Sequence, residues 1–252
     1  MTIKSRWLTC LGLLLLSIGG RSVRGENSET QFHVSSRGFE SGGKRISVDH
    51  YQPDSARGAS IIVLHGAGGT LLDGPDMRRM SRQLAAAGFD IYVVHYFNRT
   101  GTLFGLDAAM QRHFAEWLAT VKDAIKWVRT QQRAGRIGLY GYSLGGFLAL
   151  AAGSNNPDVG AIVEQAGGMW NGNERLIGKM PPLLLVHGLA DRRVPFQKYA
   201  VPLTALLRRR GLSFQTHFPA GQGHVFTQAE LVKVRKEAAA FFERHLAPSR
   251  PR

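Results

Sequence analysis

The stretch Ile137-Gly138-Leu139-Tyr140-Gly141-Tyr142-Ser143-Leu144-Gly145-Gly146-Phe147-Leu148-Ala149-Leu150-Ala151-Ala152 sets the reading of the whole chain. It opens with a short apolar run of strand length, turns through Gly-x-Ser-x-Gly, and continues as a helix opening. A strand feeding a helix through so tight a turn must hold Ser143 at strained backbone angles, with its Oγ clear of the sheet. Gly141 and Gly145 remove the Cβ atoms that would clash there. The helix that starts after Ser143 points free N–H groups at any developing anion. An ordinary Gly-rich turn needs none of this context, so Ser143 is read as a nucleophile.

Working outward, the same alternation recurs along the chain. Strand-length runs at 61–64, 91–94, 137–140, 161–163 and 183–186 are separated by helical patterns. The longest pattern, 107–132, carries Phe114, Leu118, Val121, Ile125 and Val128 on one face. A helix at 196–210, a strand at 213–218 and a last helix at 226–245 complete it. Near-continuous apolar strands of this kind belong to a parallel sheet covered on both faces. Residues 31–51 read as an antiparallel edge hairpin turning at Gly42-Gly43. The expected fold is therefore α/β, with a mostly parallel central sheet, helices on both faces and no separate lid domain. Its ligand site is expected beyond the carboxyl ends of the strands, open to solvent.

A serine needs a base, and the base needs an orienting acid. His224 lies in Gly223-His224-Val225-Phe226, between the last strand and the last helix. Asp191 lies in His187-Gly188-Leu189-Ala190-Asp191, just past the run 183–186. Both project from the edge of the sheet that carries Ser143, in the chain order Ser, Asp, His. Glu164, at the end of the preceding strand, competes with Asp191 for the acid's place. Asp158 reads as a surface turn residue beside Pro157. The oxyanion is assigned to the N–H of Leu144 and to that of Ala67 or Gly68, in the Gly-rich loop His65-Gly66-Ala67-Gly68-Gly69. That loop lacks G-x-G-x-x-G spacing and a ribose-binding acid, so no organic cofactor is expected. The remaining histidines lack ligand spacing, so no metal is expected either. His65 and His187 read as loop-bracing residues, and Tyr142, Trp170, Tyr96 and Phe97 as pocket walls.

These motifs resemble the α/β-hydrolase superfamily over residues 40–246. Within it, the chain looks like the dienelactone hydrolase and prolyl-oligopeptidase-like groups. The resemblance rests on His65-Gly66-Ala67-Gly68, Gly141-Tyr142-Ser143-Leu144-Gly145-Gly146, His187-Gly188-Leu189-Ala190-Asp191 with Val194-Pro195, and Gly223-His224-Val225-Phe226. It implies a hydrolase with Ser143, His224 and Asp191 as its triad. Dienelactone hydrolases carry Cys where this chain has Ser143, and Glu where it has Gly66.

Residues 1–25 read as a secretory signal: Lys4 and Arg6 precede an apolar core from Trp7 to Gly20, with Gly25 at the cleavage point. The core is short for a span of about 20 apolar residues, so no stable membrane anchor is expected after cleavage. The mature chain, 26–252, would be one domain, secreted or periplasmic. Of 252 residues 44% are hydrophobic and 20% charged, which excludes wholesale disorder. The single Cys, Cys10, excludes a disulfide framework. A formal net charge of +14 is scattered along helices without stacking aromatics, so nucleic acid is not the expected partner. The expectation is a serine hydrolase acting on a small-molecule carboxylic ester or lactone, with little apolar surface for a long chain. A peptidase with the same triad and a catalytically silent binding scaffold are the alternatives. The sequence fixes no oligomeric state.

Overall fold

The computed structural model describes residues 31–131, 136–169 and 177–246. The expected signal segment 1–25 and Trp170 lie outside them. Eight strands form one sheet in the order β1-β2-β4-β3-β5-β6-β7-β8. They are β1 (Phe32–Ser41), β2 (Lys44–Pro53), β3 (Ser60–Leu64), β4 (Asp90–Val94), β5 (Ile137–Tyr142), β6 (Val159–Gln165), β7 (Leu183–Val186) and β8 (Phe214–His217). β1 and β2 make the edge hairpin, with Gly42 and Gly43 both at positive φ in its turn. β2 also runs antiparallel to β4, and every pairing from β4 through β8 is parallel. The α/β-hydrolase architecture expected from the sequence is the one observed.

Helices α3 (Asp107–Gln131), α4 (Leu144–Gly153) and α5 (Phe196–Arg209) cover one face. Helices α2 (Gly74–Ala86) and α6 (Gln228–Leu246) cover the other. The strands serve both layers by strict alternation. Ile62 and Leu64 of β3 pack under α3 and α4, while Ile61 and Val63 pack under α2 and α6. This two-sided burial is why the strands read as unbroken apolar runs.

One expected helix divides. The pattern ending near Ala87 is a short turn, α1 (Gly69–Leu72), followed by α2, with Asp73 between them. Pro75 restarts the helix, because a residue without an N–H is tolerated in a first turn and not in an interior. The division places the Asp73 carboxylate beside the loop that follows β3.

The strand order reverses at β3, between β4 and β5. Chain segments leaving β3 and β5 therefore diverge and open a crevice at their carboxyl ends.

Candidate active site

Ser143 stands at the head of α4 with φ 53° and ψ −118°. A non-glycine residue there is strained, and the surroundings hold it in place. Its N–H donates to the Gln165 carbonyl at 2.8 Å. A Cβ at Gly141 would lie 2.1 Å from the Gly145 carbonyl oxygen, and one at Gly145 would lie 2.4 Å from that of Leu64. Backbone occupies both places, so only glycine fits on either side of the serine.

The structure brings Ser143, His224 and Asp191 together. His224 Nε2 lies 3.0 Å from Ser143 Oγ, and His224 Nδ1 lies 2.8 Å from Asp191 Oδ2. An ionised carboxylate only accepts, so Nδ1 carries the proton and the Nε2 lone pair faces the hydroxyl. Asp191 Oδ1 accepts the N–H groups of Arg193 and Val194, both at 2.8 Å. Burial alone would raise the Asp191 carboxyl. Hydrogen bonds from His187, His224 and the Val194 N–H overcome that and hold it well below the usual range.

His187 is a second neighbour of this acid that the spacing of motifs did not reveal. Its Nε2–H donates to the Val194 carbonyl at 2.8 Å and lies 3.4 Å from Asp191 Oδ2. Glu164, the rival acid, sits buried beneath the nucleophile turn and accepts the Gly167 N–H. Burial pushes its carboxyl up to about 7, offset in part by His187 and the Gly167 N–H.

The loop after β3 supplies the opposite wall. His65 Nδ1–H donates to the Gly66 carbonyl at 2.8 Å, and the Tyr96 hydroxyl donates to the His65 carbonyl at 2.7 Å. Ala67 and Leu144 line a cavity of about 310 Å3 together with Ser143. Gly68 is the donor that the structure removes from consideration, because its N–H is committed to Asp73 Oδ2 at 3.0 Å. Burial raises the Asp73 carboxyl, partly offset by the Gly68 and Gly66 amides. At Gly66 a Cβ would sit 2.8 Å from Asp73 Oδ2 and 3.1 Å from Ser143 Cβ, so Asp73 fills the space a side chain there would need.

The aromatic pocket walls need correction. Tyr96 and Phe97 are buried, stacked on and edge to His65, and they brace the loop from behind. Tyr142 donates to the His224 carbonyl at 3.3 Å and faces a separate recess lined by Met77, Met80 and Phe226. The cavity is instead walled by Asp107, Met110 and Gln111 at the start of α3, by Phe147, and by Arg192, Arg193, Lys198 and Tyr199 around the start of α5. Sequence periodicity could not single these out, since the first turns of two helices distant in sequence meet only in the folded chain. No group of three or more metal-ligating side chains occurs among the described residues.

Residues 46–246 match the model of the dienelactone hydrolase family. Among solved structures, the dienelactone hydrolase of Anabaena variabilis superposes with a TM-score of 0.67 at 20% identity, covering 86% of this chain and 99% of that one. A dienelactone hydrolase-like promiscuous phosphotriesterase from metagenomic libraries gives 0.73 at 16% identity, covering 85% and 99%. The acylaminoacyl peptidase of Pyrococcus horikoshii gives 0.66 at 19% identity, covering 88% of this chain and 43% of that one. At these identities the structural likeness carries the fold alone.

Proposed function

The chain belongs to the dienelactone hydrolase family of α/β-hydrolases, and on that premise we propose that it is a serine hydrolase cleaving a carboxylic ester or lactone through an acyl-enzyme on Ser143. The supporting observation is the continuous relay from Asp191 through His224 to Ser143, with both contacts at hydrogen-bond length. His224 Nε2 takes the proton as Oγ attacks the carbonyl carbon. Asp191 holds the imidazole in the required tautomer and stabilises the imidazolium that forms. The tetrahedral oxyanion is held by the N–H groups of Ala67 and Leu144, which carry no hydrogen bond to another described residue. Collapse expels the alcohol, which takes the proton back from His224. Water then attacks the acyl carbon with the same histidine as base, and Ser143 is released with the acid. In a lactone, alcohol and acid remain one molecule. The mature enzyme acts outside the cytoplasm as residues 26–252.

The test joins labelling with turnover. A fluorophosphonate probe labels the native chain and leaves Ser143→Ala unlabelled. Ester turnover in the folded variant falls by about a thousandfold or more. Unchanged turnover in Ser143→Ala overturns the assignment, and an unlabelled, inactive native chain supports the silent-scaffold alternative.

A further inference from the structure

Resting on that reading of Ser143, we infer that Asp73 is a positioning residue for the reaction: its carboxylate ties down the amides on either side of Ala67 and so aims the Ala67 N–H at the oxyanion.

Asp73 gives up the bond expected of it. An aspartate in front of a helix ordinarily accepts an N–H of the first turn, worth about 1 kcal/mol. Asp73 stands at that place before α2, yet its side chain caps nothing there. Its main chain alone serves the helices. Its N–H donates to the Gly69 carbonyl, and its carbonyl accepts the N–H groups of Asp76 and Met77, each at 3.1 Å. The carboxylate turns back to the loop after β3 and accepts the Gly68 N–H at 3.0 Å.

The loop is shaped to receive it. A Cβ at Gly68 would lie 2.6 Å from Asp73 Oδ1, and one at Gly66 would lie 2.8 Å from Asp73 Oδ2. Both oxygens thus rest against backbone that carries no side chain. The Gly66 amide joins that of Gly68 in favouring the ionised carboxylate.

Between those two amides lies that of Ala67, and the bonds around it set its direction. The Gly66 carbonyl accepts His65 Nδ1–H at 2.8 Å and the Gly69 N–H at 3.2 Å. In a trans peptide the N–H points opposite to the carbonyl, so the Ala67 N–H faces away from both donors. The Ala67 carbonyl accepts the Gly105 N–H at 2.8 Å, which fixes the next peptide as well. With Gly66 and Gly68 turned to Asp73, Ala67 holds the one amide of the three without a partner among the described residues. Ala67 also lines the cavity with Ser143 and Leu144, whereas Asp73 does not. Asp73 therefore acts through Ala67. Such a tie serves the transition state, because a donor already aimed at the developing charge needs no reorientation when the charge appears.

The experiment compares Asp73→Ser and Asp73→Asn with the native chain. Serine is too short to reach the Gly68 N–H but can cap α2, so it cuts the tie and spares the helix. Asparagine keeps an acceptor oxygen and removes the charge. Rates are referred to the sites that the fluorophosphonate probe labels, so unfolded chains drop out. With phenyl acetate, Asp73→Ser lowers kcat by about a hundredfold and leaves KM within about twofold. Asp73→Asn keeps kcat within about tenfold of native. A second readout needs no turnover. A trifluoromethyl aryl ketone binds by adding Ser143 Oγ to its carbonyl carbon; the carbonyl π pair becomes an oxyanion, and the hydroxyl proton passes to His224. Asp73→Ser weakens this inhibitor by about the factor lost from kcat, and leaves acetanilide, an unreactive analogue of the ester, unchanged. Native kcat per labelled site in Asp73→Ser overturns the inference, whether or not sites are lost, because Asp73 would then only brace the fold. A change in KM alone overturns it, as does equal weakening of ketone and anilide. An Asp73→Asn variant as slow as Asp73→Ser overturns it too, since the charge and not the tie would then be responsible. Absence of labelling and turnover in the native chain refutes instead the hydrolase reading beneath it.

Discussion

His65 and His187 end strands on either side of β5 in the sheet, and they look alike until their surroundings are compared. Both are buried, and each donates one ring N–H to a backbone carbonyl. In each, the other ring nitrogen has no partner among the described residues. His65 lies against Tyr96 at 4.2 Å and Phe97 at 4.8 Å between ring centroids. Burial among these rings pushes its imidazole down to about 4, so it stays neutral and braces the loop carrying Ala67. His187 faces Asp191 and Glu164. Burial opposes its charge, but the hydrogen bond to Asp191 and the nearby Glu164 carboxyl raise it above the ordinary value. One strand end, with the loop that carries Ala67, is held by neutral groups. The other is held by charges that keep a carboxylate ionised. The lesson is that one residue type at equivalent places supports opposite electrostatic tasks, and the neighbours decide which.

The largest effect is expected at the charged end. Asp191→Asn removes the carboxylate that fixes the His224 tautomer, so kcat should fall by about ten-thousandfold. Glu164→Gln keeps the acceptor for the Gly167 N–H and should lose less than about tenfold. Steady-state kinetics on the two variants would erase the contrast if the Glu164 loss were the greater.

A stability effect comes next. The Glu164 carboxyl, held at about 7 in the folded chain, titrates at about 4.5 when unfolded. Between those values the folded state keeps a proton that the unfolded state has lost. Stability therefore falls as pH rises from about 4.5 to about 7, and is level above that. Glu164→Gln removes this slope, worth up to about 3 kcal/mol. His187, Asp191 and Tyr140 are the titratable groups facing Glu164. Urea unfolding at pH 5 and pH 8 checks it: a slope unchanged in the variant would place the proton elsewhere.

The smallest effect belongs to the neutral end. Tyr96→Phe leaves the His65 carbonyl without its hydroxyl donor and should cost about 1–3 kcal/mol of stability, equally at pH 5 and pH 8. A loss that varied between those two pH values would show that charge reaches this end as well and would break the comparison.

Much of this was legible before folding was considered. The run from Ile137 to Ala152 carries strand, turn and helix in local sequence, because backbone sterics around Gly141 and Gly145 act over a few residues. Near-continuous apolar runs made the parallel sheet readable, since burial on both faces leaves few polar positions in the central strands. Both Asp191 and Glu164 follow strands that end near Ser143, and the folded chain separates them by distance. Asp191 Oδ2 meets His224 Nδ1, while Glu164 turns to the Gly167 amide. Tyr96 and Phe97 misled because a residue just past a strand end can face the crevice or the core, and packing against Trp117 turned them to the core.

By itself, then, the sequence determined the alternation of strands and helices, the strained serine turn and the residue types able to serve it. These depend on contacts within a turn or on the period of apolar residues. Tertiary structure alone decided which donor of the Gly-rich loop is free, that Asp73 occupies the space beside Gly66, and that the first turns of α3 and α5 wall the cavity. Those facts depend on residues between five and more than eighty positions apart meeting in space, where no local pattern records the encounter.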